Sequence, residues 1–544
     1  MFKCKQLLRR ICVVSYVFLL CGGLVNASNL VSKTNTLIGT QGNGWASGYL
    51  YPGATYPFGM VQFTPTYFTK QLGFVINQLS GAGCDHMGNF PTLPIAGALR
   101  VSPDSILNMQ TPVGKEIGTA GYYAATVDHS IRAESTVTER TGMARYTFSS
   151  KEKQGTVIIG GGVAATSIQV AAIKITGPHS CEGYAEGGAF CGIPTPYKVY
   201  FVAEFDADAE SFGTWKEERL HANHTFAEGS HSGVYFTFPL KEGNQAVQYK
   251  IGVSYVSVEN ARENLRVENP AWDFSAVRQA TQDKWNEYLG KIEVEGDNED
   301  RQMQFYTHLY RSLIHPNVCS DVNGEYMGAD SQVHKTARKF YTSFSNWDTY
   351  RTQTALIAML APEETSDIVM SHYLFAEQSG GGFPRWVLAN IETGVMQGDP
   401  TPILVANAYA FGARNYDPRT LLRTMRYGAE VPGANSQGVL TRPGLEQYLE
   451  KGYYDASILL EYTSSDFAIG RFALQACNDE PVCNWYTQRA MNWKNLFNKE
   501  TGWLQSRNED GSWKRYDADW RESTYKNYFW MVPYDLQGLI DSIG

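Results

Sequence analysis

The sequence lacks a basic run after residue 10, and its 544 residues carry a formal net charge of −9. Proteins that bind nucleic acids need a basic surface that displaces phosphate counterions, so we expect no nucleic-acid partner. After the first 27 residues, no stretch reaches the roughly eighteen apolar residues that span a bilayer. We therefore expect no membrane contact for the mature chain.

Two kinds of ligand site are also missing from the sequence. No pair of cysteines has the Cys-x-x-Cys spacing of a zinc site. The Gly-rich stretch LIGTQGNGWASGYLYPGATYPFGM is not followed by the Lys-Ser/Thr pair of a phosphate-binding loop. These absences exclude a P-loop and argue against zinc.

The first 27 residues have the pattern of a secretory signal peptide. Basic residues come first, residues 11–20 form an apolar stretch too short to span a bilayer, and Val25 and Ala27 are small residues suited to cleavage. We expect a secreted or periplasmic protein that begins at Ser28. The alternative is an uncleaved anchor.

Cysteine is scarce, with nine in the chain and six after residue 27. The short spacings predict two disulfides, Cys181–Cys191 and Cys477–Cys483, in an oxidising compartment. Cys84 and Cys319 are then left unpaired or paired with each other.

The pattern of the chain changes near residue 260. Residues 28–260 contain short, alternating runs such as KVYFVAEFDAD between Gly-rich turns, which predict an antiparallel β-sandwich. Residues 261–299 favour a helical linker. From residue 300 apolar residues recur at helical spacing, which predicts an all-α domain arranged as a toroid with a central cleft.

Aromatic residues make up 13% of the chain, and 33 residues are tyrosine. Aromatic rings pack in cores, and they also stack on the apolar faces of sugars. Composition alone does not distinguish between core packing and a carbohydrate site.

The segment SNWDTYRTQ places Trp347, Asp348 and Arg351 together. On a helix start, Asp348 and Arg351 share a face, where a carboxylate and a guanidinium can grip vicinal hydroxyls. The alternative is a helix cap with a neighbouring ion pair.

Three further loops carry candidate residues. Trp386 follows three glycines that allow close approach of a ligand, and Asp399 precedes a proline at a predicted helix start, where it is either a cap or a site residue. We take both as candidate substrate-binding residues. In the loop LSGAGCDHMGN, Asp85 and His86 lie either in a surface turn or in a site.

Glu522 lies beside Trp520, Tyr525 and Tyr528 in the segment DWRESTYKNYFW. Glycoside hydrolysis needs a protonated carboxyl at the leaving oxygen, and apolar surroundings raise the pKa of such a carboxyl. The segment therefore predicts a general acid. The alternative is an acidic residue at a helix N-terminus.

Taken in order, these motifs resemble glycoside hydrolase family 92, the calcium-dependent exo-acting α-mannosidases. The resemblance runs over nearly the whole mature chain. The segments that carry it are YPGATYPFGMVQFTP, LSGAGC, VSYVSVENAR, FYTHLYRSLIHPNVCSDVNGEY, NWDTYRTQ, ETGVMQGD, ETGWLQSRNEDGSW and FWMVPYDLQGL.

The resemblance implies an N-terminal β-sandwich, an (α/α)6 toroid, and hydrolysis of terminal α-mannose from oligosaccharides or N-glycans with inversion. A calcium ion is expected to grip the sugar. Glu522 matches the family's catalytic acid, and Trp347, Asp348 and Arg351 match its mannose-gripping loop. The mouth of the site is matched by Gly83 and Cys84, and a calcium-contacting backbone carbonyl by Asn35.

The chain departs from the family after Glu522, where Ser523-Thr524-Tyr525-Lys526 replaces Gly-Asn-Ala-Trp, and at Tyr534, where the family has histidine. It stops at Gly544, whereas family members continue with a general base and calcium ligands. We therefore expect an incomplete toroid. Two alternatives are an inactive truncated product or glycan-binding pseudoenzyme, and a toroidal hydrolase of α-glucosides.

Overall fold

The computed structural model describes residues 29–40, 49–65, 73–104, 113–242 and 245–544. The predicted signal peptide and residues 41–48 of the Gly-rich stretch lie outside these ranges. None of the helices in the described segments combines the length and apolar character that crossing a membrane requires.

The N-terminal part of the described chain consists of two antiparallel sheets. The first has the strand order β1-β2-β3-β4-β9-β16-β13-β14, and the second has the order β15-β10-β11-β12-β17-β8-β7-β6-β5. The strands are β1 (Ala54–Thr55), β2 (Gln62–Pro65), β3 (Phe74–Val75), β4 (Thr92–Ala96), β5 (Val113–Thr119), β6 (Tyr122–Val127), β7 (Ile131–Val137), β8 (Thr141–Thr147), β9 (Gln154–Gly160), β10 (Ile168–Gly177), β11 (Ser180–Phe190), β12 (Ile193–Phe205), β13 (Ser211–Lys216), β14 (Arg219–Ala222), β15 (Phe226–Glu228), β16 (Ser232–Pro239) and β17 (Ala246–Ser254).

Strand β11 shows why the sheets pack face to face. Cys181 and Ala185 are buried, while Glu182, Tyr184 and Glu186 between and beside them are only partly buried. Because successive side chains of a strand point to opposite faces, this alternation directs one face toward the partner sheet.

The second half is helical, with short hairpins between the helices. Its helices, with the two that precede it, are α1 (Val258–Glu268), α2 (Phe274–Leu289), α3 (Glu299–Ser312), α4 (Asn346–Thr349), α5 (Gln353–Leu360), α6 (Pro362–Ser379), α7 (Thr401–Ala410), α8 (Pro418–Glu430), α9 (Leu445–Lys451), α10 (Ala456–Cys477), α11 (Glu480–Ala490), α12 (Tyr525–Tyr528) and α13 (Leu536–Ile543). Short strands join them as β18 (Asn317–Val318), β19 (Glu325–Met327), β20 (Val333–Lys335), β21 (Tyr341–Thr342), β22 (Phe344–Ser345), β23 (Trp386–Leu388), β24 (Ile391–Glu392), β25 (Asn435–Ser436), β26 (Val439–Leu440), β27 (Phe497–Asn498) and β28 (Trp503–Leu504), and single 3-10 turns cover Leu30–Lys33 and Met491–Leu496.

Helix α10 is the central helix of this half. It is buried around most of its circumference, which is typical of a helix surrounded by others. It ends at Asn478, whose left-handed backbone (φ 54°) is a common way to close a helix. The predicted β-sandwich followed by a helical domain is confirmed.

The two halves share one hydrophobic core. Trp386, Tyr326 and Phe340 from the helical half belong to the same buried cluster as the sandwich residues Phe190 and Phe201. The ring of Trp386 stacks on that of Phe190 with centroids 4.3 Å apart. The helical half is therefore packed directly against the sandwich.

Helices α1 and α2 attach the end of the sandwich to the helical half. Ala261 and Leu265 of α1 pack on Val202 of β12. From α2, the indole Nε1–H of Trp285 donates to the Thr55 carbonyl at 2.7 Å.

The disulfide pattern differs from the predicted one. The disulfide in the described residues joins Cys84 to Cys191, while Cys181, Cys319, Cys477 and Cys483 are free and buried. Strand β11 explains why Cys181–Cys191 is wrong: an extended strand rises about 3.3 Å per residue, so the two cysteines lie near opposite ends of a span of about 30 Å.

The predicted Cys477–Cys483 disulfide is also absent from the described residues. Cys477 is the last residue of α10, and Cys483 lies in the first turn of α11. The sulfur of Cys483 contacts Thr487 Oγ1, one turn along its own helix, at 3.9 Å.

Candidate functional site

A short helix carries the first group of predicted site residues. Strand β22 leads directly into α4, which holds Trp347 and Asp348, and Arg351 follows its end. Asn346 anchors this turn, because its amide donates to Thr401 Oγ1 at 2.9 Å in the core. The structure therefore brings Trp347, Asp348 and Arg351 together.

The buried carboxylate of Glu461 on α10 accepts hydrogen bonds from three side chains of this turn. Glu461 Oε1 accepts from the indole of Trp347 at 3.0 Å and from the Arg351 guanidinium at 3.2 Å. Its second oxygen, Oε2, accepts from the Tyr350 hydroxyl at 3.1 Å. The alternative of an ion pair between Asp348 and Arg351 is replaced by one between Glu461 and Arg351.

The Glu461 carboxylate has no exposed surface, whereas 38% of the Arg351 side chain is exposed. Burial raises the pKa of Glu461, and the Arg351 charge with the bonds from Tyr350 and Trp347 opposes that rise. The guanidinium also lies over the rings of Trp347 and Tyr350, 4.8 and 4.7 Å from their centroids. The Arg351 guanidinium is therefore held in place at the surface by the buried Glu461 carboxylate.

Asp348 lies at the surface, three residues before Arg351 in sequence. Its carboxylate is exposed and accepts from the Ser345 hydroxyl at the start of the same turn. An exposed carboxylate and an exposed guanidinium on one short turn offer an acceptor and donors, the groups that bind vicinal hydroxyls.

A tyrosine from the C-terminal segment closes the other side of the cluster. Burial and the nearby Glu461 charge raise the pKa of Tyr528 to about 12. Its hydroxyl accepts from the Gln397 amide at 3.2 Å. Ser457 bonds both Gln397 Oε1 and the Asp519 carbonyl, so the segment that carries Glu522 is attached to α10.

The backbone approaches Glu461 closely at residues 396–398. Met396 has φ 64° and Gly398 has φ 78°, both in the left-handed region. A Cβ on Gly398 would lie 2.6 Å from the Cβ of Glu461, so a side chain there would displace the carboxylate.

Asp399 lies next to this turn but points into a separate buried ion network. Its Oδ2 accepts from Arg442 Nε at 2.8 Å, and Arg442 Nη1 bonds Asp466 at 2.8 Å. Asp399 is not a helix cap, because the N-cap position is Pro400. With 3% of its side chain exposed, Asp399 stabilises the fold around the site.

Trp386 lies behind the turn that holds Trp347. Residue Ser345 pairs with Trp386 across β22 and β23, and the Trp386 ring, only 5% exposed, packs on Phe190 of the sandwich. The ring therefore belongs to the core between the two halves.

Gly83 and Cys84 lie on a sandwich loop that reaches the same region. The disulfide from Cys84 to Cys191 ties this loop to the β11–β12 turn, next to Phe190. A groove of about 380 Å³ runs beside the disulfide and is lined by Asp85 and Ala189 among others.

His86 of this loop is buried, and Asp85 is exposed. His86 Nε2 accepts from the Leu79 amide at 2.8 Å, so its Nδ1–H donates to the Cys84 carbonyl at 2.6 Å. The histidine thus holds the loop in shape.

Glu522 lies in a turn before α12, with φ 50° and an exposed side chain. The predicted apolar surroundings of its carboxyl are wrong, because the side chain is exposed and the Tyr528 hydroxyl bonds Gln397. It is also not in the first turn of a helix, since Thr524 is the N-cap of α12.

Among the residues that the structure describes, no group of three or more His, Cys, Asp or Glu side chains is placed to hold a metal ion. The Asn35 carbonyl accepts from the Ile38 amide at 3.2 Å, and its side-chain oxygen accepts from the Leu37 amide. Because calcium takes six to eight oxygen ligands, these described residues do not fit a complete calcium site.

The motifs did not point to Glu461, Tyr350 or Gln397, and Tyr528 was expected beside Glu522 rather than on Gln397. A signal for Glu461 was present in the segment ASILLEYTSSDFAIG, where two acidic residues interrupt an apolar helical pattern. Charged side chains are almost never fully buried without partners. An acidic residue within an apolar helical segment therefore indicates a buried carboxylate that is paired with a donor or a cation.

The chain matches two family models. Residues 34–254 match the glycosyl hydrolase family 92 N-terminal domain, and residues 260–544 match the glycosyl hydrolase family 92 catalytic domain. An uncharacterized secreted glycosidase of Arthroderma benhamiae is 24% identical over 95% of this chain and 72% of its own length.

Two solved structures have the same fold. A family GH92 α-mannosidase of Bacteroides thetaiotaomicron, also solved with mannoimidazole, superposes with a TM-score of 0.87 at 24% identity, covering 95% of this chain and 73% of the relative. A family GH92 inverting mannosidase of the same bacterium superposes with a TM-score of 0.84 at 25% identity, covering 94% and 72%.

Proposed function

Because the chain belongs to glycosyl hydrolase family 92, we propose that it removes terminal α-linked mannose from oligosaccharides or N-glycans with inversion. The observation that carries the proposal is the exposed guanidinium of Arg351, held by buried Glu461, with the exposed carboxylate of Asp348 three residues before it. Such a pair binds adjacent hydroxyls of a sugar through an acceptor and a donor fork. The names of the two solved mannosidases support mannose as that sugar.

We assign the general acid to Glu522. Its carboxyl would protonate the glycosidic oxygen as the bond to the leaving group breaks. The bonds of Ser457 to the Asp519 carbonyl and of Gln397 to Tyr528 support this role, because they attach the Glu522 segment to the Glu461 cluster.

Calcium dependence is proposed from family membership alone. Calcium would supply positive charge at the sugar's hydroxyls, with the Asn35 carbonyl as one expected ligand. Secretion or periplasmic export is proposed on the disulfide and on the secreted relative.

The test is hydrolysis of an aryl α-mannoside by the chain with Glu522→Gln. We expect turnover to fall by about 100-fold or more, since proton transfer typically contributes 10²–10⁴-fold. Glu500→Gln is the matched control, because Glu500 is also an exposed glutamate of the helical half. Equal loss in both variants, or near-normal turnover in Glu522→Gln, contradicts the assignment.

Glycan binding without hydrolysis is the second candidate function, and the exposure of Glu522 favours it. Calorimetric titration with mannose and with glucose separates the candidates. Mannose binding without product formation supports a binding protein, and preference for glucose contradicts mannose as the substrate. Activity that persists in excess chelator contradicts the calcium proposal.

A further inference from the structure

We propose that Glu461 is a positioning residue that orients Trp347 and Arg351 for sugar binding and thereby sets the affinity of the site. The inference rests on the proposed function, since it assigns a role within that site. It starts from the convergence of three side chains of one turn on a single buried carboxylate.

Each oxygen of Glu461 has a defined partner. Oε1 accepts from Trp347 at 3.0 Å and from Arg351 at 3.2 Å, and Oε2 accepts from Tyr350 at 3.1 Å. Arg351 Nη1 donates to the Tyr350 hydroxyl at 2.8 Å, which closes a ring of bonds. A guanidinium tied at two points loses less freedom when it binds a ligand.

The exposure of the partners separates this carboxylate from a purely structural one. Asp466 lies five residues further along α10 and is equally buried, with Arg442 and Arg489 as partners. Those two arginine side chains are 0% and 8% exposed, so that network is closed to ligands. Arg351 is 38% exposed, so the charge of Glu461 acts on a group that a ligand can reach.

The backbone at Gly398 packs directly against the side chain of Glu461. Gly398 lies against the carboxylate stem, in the left-handed region where a side chain would be strained. Unusual backbone conformations concentrate at functional sites, where they are held by surrounding structure. The carboxylate is therefore confined to one orientation.

The test compares Glu461→Gln with Asp466→Asn, which is the same change of charge on the same helix. The glutamine keeps the volume and one acceptor oxygen, but it removes the charge that holds Arg351. We expect KM for an aryl α-mannoside to rise about 10-fold with kcat within about threefold, since the sugar grip acts in both ground and transition states. Asp466→Asn is expected to lower the melting temperature and leave KM unchanged.

Tyr350→Phe is the second variant, because it deletes only the hydroxyl that bridges Glu461 and Arg351. We expect KM to rise about threefold without loss of folding. An unchanged KM in folded Glu461→Gln, or in Tyr350→Phe if Glu461→Gln does not fold, overturns the proposal.

A readout without turnover separates this proposal from the proposed function. The indole N–H resonance of Trp347, assigned by its loss in Trp347→Phe, is expected to shift in Glu461→Gln and to stay in place in Asp466→Asn. A fixed resonance overturns the role of Glu461 whatever the activity. If the wild-type chain neither hydrolyses nor binds mannosides while the resonance shifts, the proposed function fails and the positioning of Trp347 by Glu461 stands.

Discussion

At the scale of single residues, buried carboxylates with several donors tie separate elements together. Asp321 accepts from Ser254 Oγ at 2.7 Å and from the amides of Asn260 and Asn264 at 2.9 and 2.7 Å. These donors come from the end of β17 and from α1, while Asp321 lies in the helical half. Burial raises the pKa of Asp321, so its three donors are needed to keep the charge inside the protein.

We predict that Asp321→Ala lowers the free energy of unfolding by about 3 kcal/mol or more, because three buried donors lose their acceptor. Chemical denaturation measures the change. Asp297→Ala is the control, since Asp297 is exposed in the loop before α3, and we expect it to leave the unfolding midpoint unchanged. A similarly small effect at both positions would show that water replaces the Asp321 carboxylate.

At the scale of elements, two histidines hold the loop that carries Gly83 and Cys84, of which His86 is buried and His315 is partly buried. His86 Nε2 accepts from the Leu79 amide, and His315 Nε2 accepts from the Ser80 amide at 3.0 Å. Burial lowers the pKa of both imidazoles to about 4, from an ordinary value of 6.5. Protonation at Nε2 would remove the acceptor of each backbone amide.

The sign of the pH effect follows from these pKa values. Between pH 6.5 and 4 the unfolded chain binds protons that the folded chain does not, so stability falls as the pH drops through this window. Each histidine contributes at most about 3.5 kcal/mol over this window of 2.5 pKa units, at about 1.4 kcal/mol per unit. We expect melting temperatures to fall steeply from pH 6.5 to pH 4.

The control is a comparison of His86→Gln with His308→Gln. His308 is exposed on α3, so its replacement is expected to leave the pH profile of melting unchanged. His86→Gln is expected to lower the melting temperature at pH 7 and to flatten its pH dependence. An equally steep profile in His86→Gln would mean that other groups cause the acid instability.

At the scale of the whole molecule, the disulfide braces the part of the sandwich on which the helical half packs through the shared core. Cys84 and Cys191 are 107 residues apart in sequence, and their link holds the β11–β12 turn at the position where Phe190 meets Trp386. Closing a loop of about 100 residues restricts the unfolded chain by about 4.7 kcal/mol in the chain-entropy model.

We predict that the double variant Cys84→Ser, Cys191→Ser melts at a lower temperature than the wild-type chain. The wild-type protein is expected to fall to the same melting temperature when a thiol reductant is added, whereas the variant is expected not to respond. Cys319→Ser, which removes a free buried thiol, controls for loss of a core side chain and keeps its response to reductant. A wild-type melt that is unchanged after complete reduction contradicts the prediction.

The architecture was predictable because it depends on local periodicity. Alternation along KVYFVAEF in β12 and helical spacing along α3 are properties of short segments, and both elements formed where those patterns predicted them. The site was predictable only in part. Trp347 and Arg351 are neighbours in sequence, but their common partner Glu461 is 110 residues away from Arg351, and only the packing of α10 against α4 reveals it.

The same limit explains the wrong disulfides. Cys181 and Cys191 are close in sequence, yet an extended strand separates them, while Cys84 reaches Cys191 through the pairing of distant loops. The surroundings of Glu522 were inferred from neighbouring aromatic residues, but Tyr528 turns toward Gln397 instead. Closeness in sequence to Glu522 does not determine whether an aromatic ring packs against its carboxyl or turns away from it.

The stack of Phe190 on Trp386 also bears on how this enzyme family can be engineered. A hybrid that joins the sandwich of one member to the helical half of another would have to match the two rings and the hydrophobic cluster around them. Replacing one half alone would leave Phe190 or Trp386 without its stacking partner at the interface between the halves. Crossover points are therefore best placed in surface loops that leave both rings with their native partners.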